Sequence, residues 1–453
     1  MKRKQFIKSS SMAVAGGMLL PNLACLNKKK ETVTAQATPP RKNWAGNYTY
    51  KAEKLYEPTT AEEVQQLVKK LDQQKALGSR HCFNNIADSP KNQISTKNMN
   101  RVVSLDAENK TITVESGARY GDFSEELYEK GYALHNLASL PHITVVGACS
   151  TGTHGSGVTN GNLATPVVAL ELVTPSGELV TIDRNHPDFY GIVVGLGAFG
   201  IVTKVTLEIE EAFDVTQNVF VDLPLPALVE NFDEIMSSGY SVSLFTDWMD
   251  EKISEVWVKR RVDAEHAVLG DDFYGAKAAT ENLHPIASIS AESCSEQMGI
   301  PGPWYNRLPH FKMGFTPSAG EELQSEFFIP RKNAVEAILA LEKMKNEINP
   351  HLMITEVRTI AADEFWMSPA YHQDSVAIHF TWKPKSKEVM ALLPKIEATL
   401  APFNVRPHWG KLFTVDPNTL HERYEKFADF LALAKKYDPE GKFKNDYLDL
   451  NIY

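Results

Sequence analysis

Residues 75–89 read KALGSRHCFNNIADS, a strand-like apolar run that feeds a Gly78-Ser79-Arg80-His81 turn. Gly78 and Ser79 are small enough for the backbone to approach a bulky anionic ligand closely. Asn84, Asn85 and Asp88 continue with short polar groups that suit a tightly bonded loop. Among the 13 histidines, His81 is the one set where a buried cofactor meets a backbone cradle. Alone, a Gly-Ser turn is a common device. A second run gives it weight: Ser139-Leu140-Pro141-His142 leads into Gly147-Ala148-Cys149-Ser150-Thr151-Gly152-Thr153-His154-Gly155-Ser156-Gly157. Its backbone donors and hydroxyls can wrap a pyrophosphate without Lys or Arg. It lacks both the GK[ST] of a P-loop and the GxGxxG that opens a Rossmann helix. A purely structural glycine turn stays open at this point.

Around these runs, 453 residues exceed one ordinary core, so two domains are expected. With 43% apolar and 23% charged residues, the composition is that of a soluble globular protein. A net charge of −10 and no basic stripe argue against nucleic acid as a partner. Four cysteines, Cys25, Cys82, Cys149 and Cys294, are too scattered for a disulfide framework or a CxxC metal site, and no metal is expected.

Residues 1–26 read as an export signal: basic MKRKQFIK, then a short Gly/Ser-rich apolar stretch unable to span a bilayer permanently. Arg3-Lys4-Gln5-Phe6-Ile7-Lys8 is similar to the twin-arginine pattern with Lys in second place. Leu23-Ala24-Cys25 is partly similar to a lipoprotein box, with Asn22 where Leu is usual, and an ordinary signal with an incidental Cys25 stays equally open. Periplasmic or cell-envelope delivery follows, with a lipid anchor at Cys25 as one form of it. Residues 27–42 have a tether's composition.

The folded region is expected to start near Asn43-Trp44. Thr60-Ala61-Glu62-Glu63 is a capping box for an amphipathic helix from about Ala61 to Gln73. Val102–Leu105, Thr111–Glu115, Val167–Thr174, Glu178–Ile182 and Val202–Glu210 alternate as strands, with Pro175-Ser176-Gly177 as a hairpin turn. Residues 43–212 therefore read as a compact α+β unit, not a doubly wound one. From 213 to 453 the texture changes: six of the seven tryptophans lie there, with strands at Gln324–Ile329 and Val376–Trp382 and a helix at Ala334–Lys343. That pattern indicates an antiparallel sheet with helices on it. Tyr437 to Phe443 reads as a turn returning the C-terminus to the body.

NWAGN (43–47), the GSRHCFNNIADS turn, SLPHITV (139–145), STGTHGSG (150–157), SEFFIPR (325–331), TEVRTIAAD (355–363), HFTW (379–382) and RPHWGKLF (406–413) occur in that order. Together they resemble the alditol oxidases, within the aldonolactone-oxidase branch of the vanillyl-alcohol-oxidase flavoproteins, from residue 43 to the C-terminus. The resemblance implies a PCMH-type FAD-binding domain of two subdomains and an antiparallel-sheet substrate domain whose C-terminal segment returns to the flavin. It implies FAD held covalently through His81, whose neutral imidazole nitrogen is an apt nucleophile. Cys82 stands where Ser is more usual. Gly78, Ser79, Arg80, Cys82, Ser139, Thr144, Gly147, Thr151, Gly152, Thr153, His154, Ile201 and His408 match FAD-binding positions. Some doubly tethered relatives carry a cysteinyl bond in such a loop, which raises Cys149 as a second tether against a packed small residue.

On the substrate side, Glu356 and Arg358 alternate about Val357, and His379 and Thr381 about Phe380, so each pair shares a strand face. Donors and acceptors together suit polyol hydroxyls. The resemblance adds Tyr120, Ser139, Val158 and Lys411. Lys411 and Arg358 are the candidate cations for a developing alkoxide, and His379 the alternative base. Ala138 is expected beside the flavin, where side-chain size gates oxygen. The expected reaction is FAD-dependent oxidation of a terminal alditol hydroxyl, with O2 reduced to hydrogen peroxide. Its alternative is an aldonolactone oxidase or dehydrogenase, and a polyol-binding protein without catalysis ranks third. A monomer is expected.

Overall fold

The structure, a computed structural model, describes residues 41–265, 269–315 and 322–453. The export signal and all but the last two residues of the expected tether lie outside the described residues. Every described residue falls within one compact unit.

Near the start, β1 (Lys54–Tyr56), β2 (Gln74–Leu77) and β3 (Asn92–Ser95) form a parallel sheet in the order β1-β3-β2. Helix α1 (Ala61–Lys70) buries Val64, Leu67 and Val68. The Thr60 hydroxyl accepts from Glu63 N, but the reciprocal bond runs from Thr59 N to Glu63 Oε2 at 2.7 Å, one residue earlier than a capping box requires. The helix ends three residues before Gln73, because Leu71 turns to extended backbone.

An antiparallel sheet follows in the order β4-β5-β9-β7-β8. Its strands are β4 (Val102–Asp106), β5 (Thr111–Glu115), β7 (Val167–Val173), β8 (Leu179–Asp183) and β9 (Ile201–Glu208). Short β6 (Tyr132–Ala133) pairs with β10 (Glu210–Glu211). Two helices pack here, α2 (Tyr120–Glu129) and the six-residue α3 (Val145–Ser150). The 174–177 turn closes as its sequence requires: Gly177 N donates to Thr174 O at 2.8 Å with Gly177 at φ +80°.

The remaining strands build one ten-stranded antiparallel sheet. They are β11 (Asp214–Pro224), β12 (Ser241–Thr246), β13 (Lys252–Arg261), β14 (Asp272–Phe273), β15 (Ala276–Ala278), β16 (Gly302–Pro303), β17 (Leu323–Pro330), β18 (Leu352–Ile360), β19 (Ser375–Trp382) and β20 (Arg406–Pro407). Central strands β12, β17 and β19 are buried along their whole length, although each carries three polar residues. Register decides where those polar residues meet. Phe245, Glu356, His379 and Glu326 are successive partners across β12, β18, β19 and β17, and so form one transverse row.

Candidate active site

The 78–89 loop is clamped from three distant parts of the chain. Asn43 Nδ2 donates to Cys82 O at 2.9 Å, and the Trp44 ring stacks on His81 with centroids 5.2 Å apart. Asn84 Nδ2 bridges Trp409 O and Lys411 O, each at 2.8 Å. Asn445 Nδ2 reaches Asn85 O, Ile86 O and Asp88 O, which is how the C-terminal return holds the loop. Within it Arg80 adopts a left-handed φ of +65°, the kind of backbone strain that persists only where surroundings enforce it.

The two glycine runs interlock around one hydroxyl. A Cβ on Gly78 would lie 2.6 Å from Thr144 Oγ1, and one on Gly147 would lie 2.7 Å from the same atom. A side chain at either position would force the Thr144 side chain to shift. Ser79 Oγ accepts from Thr144 N at 3.1 Å, and the Thr151 and Thr153 hydroxyls lie 3.2 Å apart. Thr153 meets His408 Nε2 at 3.4 Å, and Gly410 N donates to His408 Nδ1 at 3.0 Å.

These segments form one wall of a cavity of about 540 Å3, in the usual range for a cofactor site. The opposite end is the charged row on the large sheet. Glu326 is 2% exposed; its Oε1 lies 3.0 Å from His154 Nε2 and 3.3 Å from Arg358 Nη2. His379 Nδ1 stands 3.5 Å from Glu326 Oε2, and its Nε2 is 3.2 Å from Thr381 Oγ1. Arg358 Nη1 donates to Ser139 Oγ at 3.2 Å, and Lys411 Nζ donates to Gln324 Oε1. Burial alone would raise both carboxyls, but the imidazoles of His154 and His379 hold Glu326 well below the carboxylate range, and Arg358 with His310 does so for Glu356. Desolvation lowers His379, His408 and Lys411 from their ordinary values, His408 to about 3.

The cavity suits FAD on its own features. Both ring nitrogens of His81 are buried without a hydrogen-bond partner, and burial pulls that imidazole down to about 3, so it is neutral. The glycine cradle around Thr144 leaves backbone exposed to an anionic group, and Lys75 reaches the cavity from β2. Its Nζ donates to Gly197 O at 2.9 Å, and burial lowers it to about 7.

The structure brings Gly78, Ser79, Arg80, His81, Cys82, Ala138, Ser139, Thr144, Gly147, Thr151, Thr153, His154, Glu356, Arg358, His379, Thr381, His408 and Lys411 to this one cavity. Four expected residues do not line it. Tyr120 opens α2 on the helix's buried face and sits in the core against Cys149. Val158 packs against the apolar core of the large sheet. Gly152 packs directly against Pro369, and Ile201 alternates into the core beneath α1, while their neighbours Thr151, Thr153, Gly200 and Val202 reach the cavity. Cys149 likewise faces away: it is 2% exposed and its thiol donates to Leu163 O at 3.2 Å, which removes the geometric basis for a second tether. Cys82 does line the cavity, and burial pushes its thiol up to about 11, leaving it unreactive.

Sequence reasoning gave no role to Glu326, Gln324, Lys75 or His310. Glu326 had a usable signal, since it is the one charged residue in the wholly buried strand LQSEFFIP. Among the described residues no group of three or more His, Cys, Asp and Glu side chains is arranged to hold a metal, and no helix is long and apolar enough to cross a membrane.

Comparison with known proteins fits this geometry. An FAD binding domain family matches residues 52–183, and a D-arabinono-1,4-lactone oxidase family matches residues 319–451. An alditol oxidase of Streptomyces sp. is 45% identical over 409 residues, covering 90% of this chain and 97% of that protein. L-gulonolactone oxidase of Bos taurus is 28% identical, covering 91% and 98%. The crystal structure of cholesterol oxidase from B. sterolicum superposes with a TM-score of 0.74 at 15% identity, covering 97% of this chain and all of that one, a likeness of fold.

Proposed function

The chain belongs to the family of FAD-dependent alditol and aldonolactone oxidases, and from that premise we propose that it oxidises the terminal hydroxyl of an open-chain polyol of the xylitol or sorbitol class to the aldehyde. FAD, when bound, supplies the hydride acceptor and the route by which O2 becomes hydrogen peroxide. The observation that carries the reading is the Glu356–His379–Glu326 row with Arg358, Thr381 and Lys411 beside it, facing the same cavity as His81. Such a wall offers alternate donors and acceptors to a chain of hydroxyls, where an aromatic alcohol would need apolar contact.

In this reading Lys411 and Arg358 stand beside the reacting hydroxyl and stabilise the alkoxide as its proton leaves. His379, kept neutral by burial and by the Lys411 charge, is the base able to take that proton. Glu356, Thr381 and Ser139 orient the remaining hydroxyls. His81, neutral and without a hydrogen-bond partner, is the candidate covalent tether for FAD. Gly78, Ser79, Thr144, Gly147 and Thr153 would cradle its phosphates.

The second reading, a cyclic aldonolactone as substrate, is favoured by the lactone-oxidase family match over residues 319–451. Aerobic turnover on xylitol, sorbitol and gulonolactone, with peroxide measured alongside, decides between them. Faster peroxide release from an alditol is expected; turnover of the lactone alone would reverse the order. On the sequence of residues 1–26, we assign the protein to the periplasm or cell envelope. Mass analysis of the native N-terminus tests export and a lipid at Cys25 together.

A further inference from the structure

Lys259, His310 and Glu356 form a buried line that enters the charged row at Glu356, with His310 as well as Glu356 lining the cavity. They are 1%, 4% and 5% exposed. Lys259 Nζ, on β13, lies 2.6 Å from Leu308 O, 3.1 Å from Pro309 O and 3.2 Å from His310 Nδ1. On the other side of the ring, His310 Nε2 lies 2.7 Å from Glu356 Oε1. Phe245 and Trp257 meet the imidazole edge-on and hold its plane.

Proton counting constrains this line. An ionised Glu356 only accepts, so His310 Nε2 carries a proton and donates. Nδ1 then accepts from the Lys259 amine, or carries a second proton and donates to it. Two carbonyl oxygens and one imidazole nitrogen match the three donors of an ammonium, which places the proton on Lys259. Desolvation lowers Lys259 well below its ordinary value and His310 to about 4, and the Glu356 carboxylate opposes both shifts.

We propose that Lys259 and His310 are positioning residues for the substrate: they fix Glu356 through Oε1 and so aim its Oε2 at a hydroxyl of the bound polyol. Arg358 Nε, 3.4 Å from the same Oε1, adds a second restraint on that oxygen. The inference rests on the polyol reading of the cavity. It predicts that substrate recognition depends on a lysine whose amine bonds only backbone and a histidine.

The test uses the flavin-loaded enzyme and its best alditol. His310→Phe keeps the ring volume but deletes both nitrogens; KM is expected to rise about 10–100-fold, as for loss of a hydrogen bond to a charged group. Flavin content should stay at the wild-type value. His310→Gln offers an oxygen to Lys259 and an N–H to Glu356, and is expected to bring KM back to within about fivefold of wild type, a residual typical of imperfect hydrogen-bond geometry. A purely structural role ranks the two variants the other way, because Phe fills the space better. Lys259→Met carries the test should His310→Phe not accumulate; its KM is expected to rise about tenfold. KM unchanged in Lys259→Met or in His310→Phe, or a Gln variant no better than Phe, overturns the inference. Wild-type protein that turns over neither alditol nor lactone overturns the polyol reading instead, so the two failures are distinct.

Discussion

Along the wall formed by residues 78–82 and 139–154, polar contact comes from backbone and small hydroxyls. The facing wall on β17 to β19 carries ionised side chains almost wholly out of water. The first wall is made of two short runs, each local in sequence, which the fold brings together at Thr144. The second is assembled by strand register, from residues such as Glu326 and His379 that lie 53 positions apart, and it survives burial because both Glu326 and Glu356 lie beside the Arg358 guanidinium. Uncharged backbone tolerates a ligand that brings its own charge; a paired row suits one that brings hydroxyls.

Glu326 joins the walls, since it bonds His154 on one side and Arg358 on the other. Glu326→Gln should cost about 3–5 kcal/mol of stability by leaving buried partners uncompensated, measured by denaturant unfolding. The pH dependence follows from the sign of the shifts. Glu326 and Glu356 are held below their unfolded value, about 4.3 for Glu, so their contribution is complete above it and lost as pH falls toward the folded values. Wild-type Tm should therefore fall steeply only below about pH 4, and Glu326→Gln should start lower but fall less. A flat acid profile in the wild type would break the division into charged and uncharged walls.

Next in size, Lys411→Met should slow anaerobic flavin reduction by substrate about 10²–10³-fold with bound flavin retained, read by stopped-flow absorbance. Loss of flavin instead would show that Lys411 serves the first wall. Gly78→Ala drives a Cβ to 2.6 Å from Thr144 Oγ1 and should cost about 1–3 kcal/mol, with a lower flavin-to-protein ratio. The smallest contrast concerns the tether. Acid precipitation should leave flavin on the wild type and on Cys149→Ala but release it from His81→Ala, and acid-stable flavin in His81→Ala would sink that assignment.

The candidate site was half legible in the sequence. Gly78 was readable as a close-approach glycine and Gly147 as part of a glycine-rich loop, but nothing in either run said that both face Thr144. Glu356 with Arg358 and His379 with Thr381 were readable as same-face pairs, because a strand's period is two. Glu326 escaped because its partners, His154, Arg358 and His379, come from three other segments. Tyr120 and Ile201 were misplaced for a related reason: resemblance fixes a position along the chain, while helix phase and strand alternation turned their side chains into the core.

By itself the sequence determined the α+β character and the two alternating pairs and marked the two glycine runs with His81 as candidates, because local spacing and backbone freedom act within a few residues. Only the tertiary structure decided that those pairs meet on one wall, that Cys149 faces away from the cavity, and that Lys259 and His310 line up on Glu356. Strand order and register set those contacts, and they join residues whose separation in the chain carries no periodic signal.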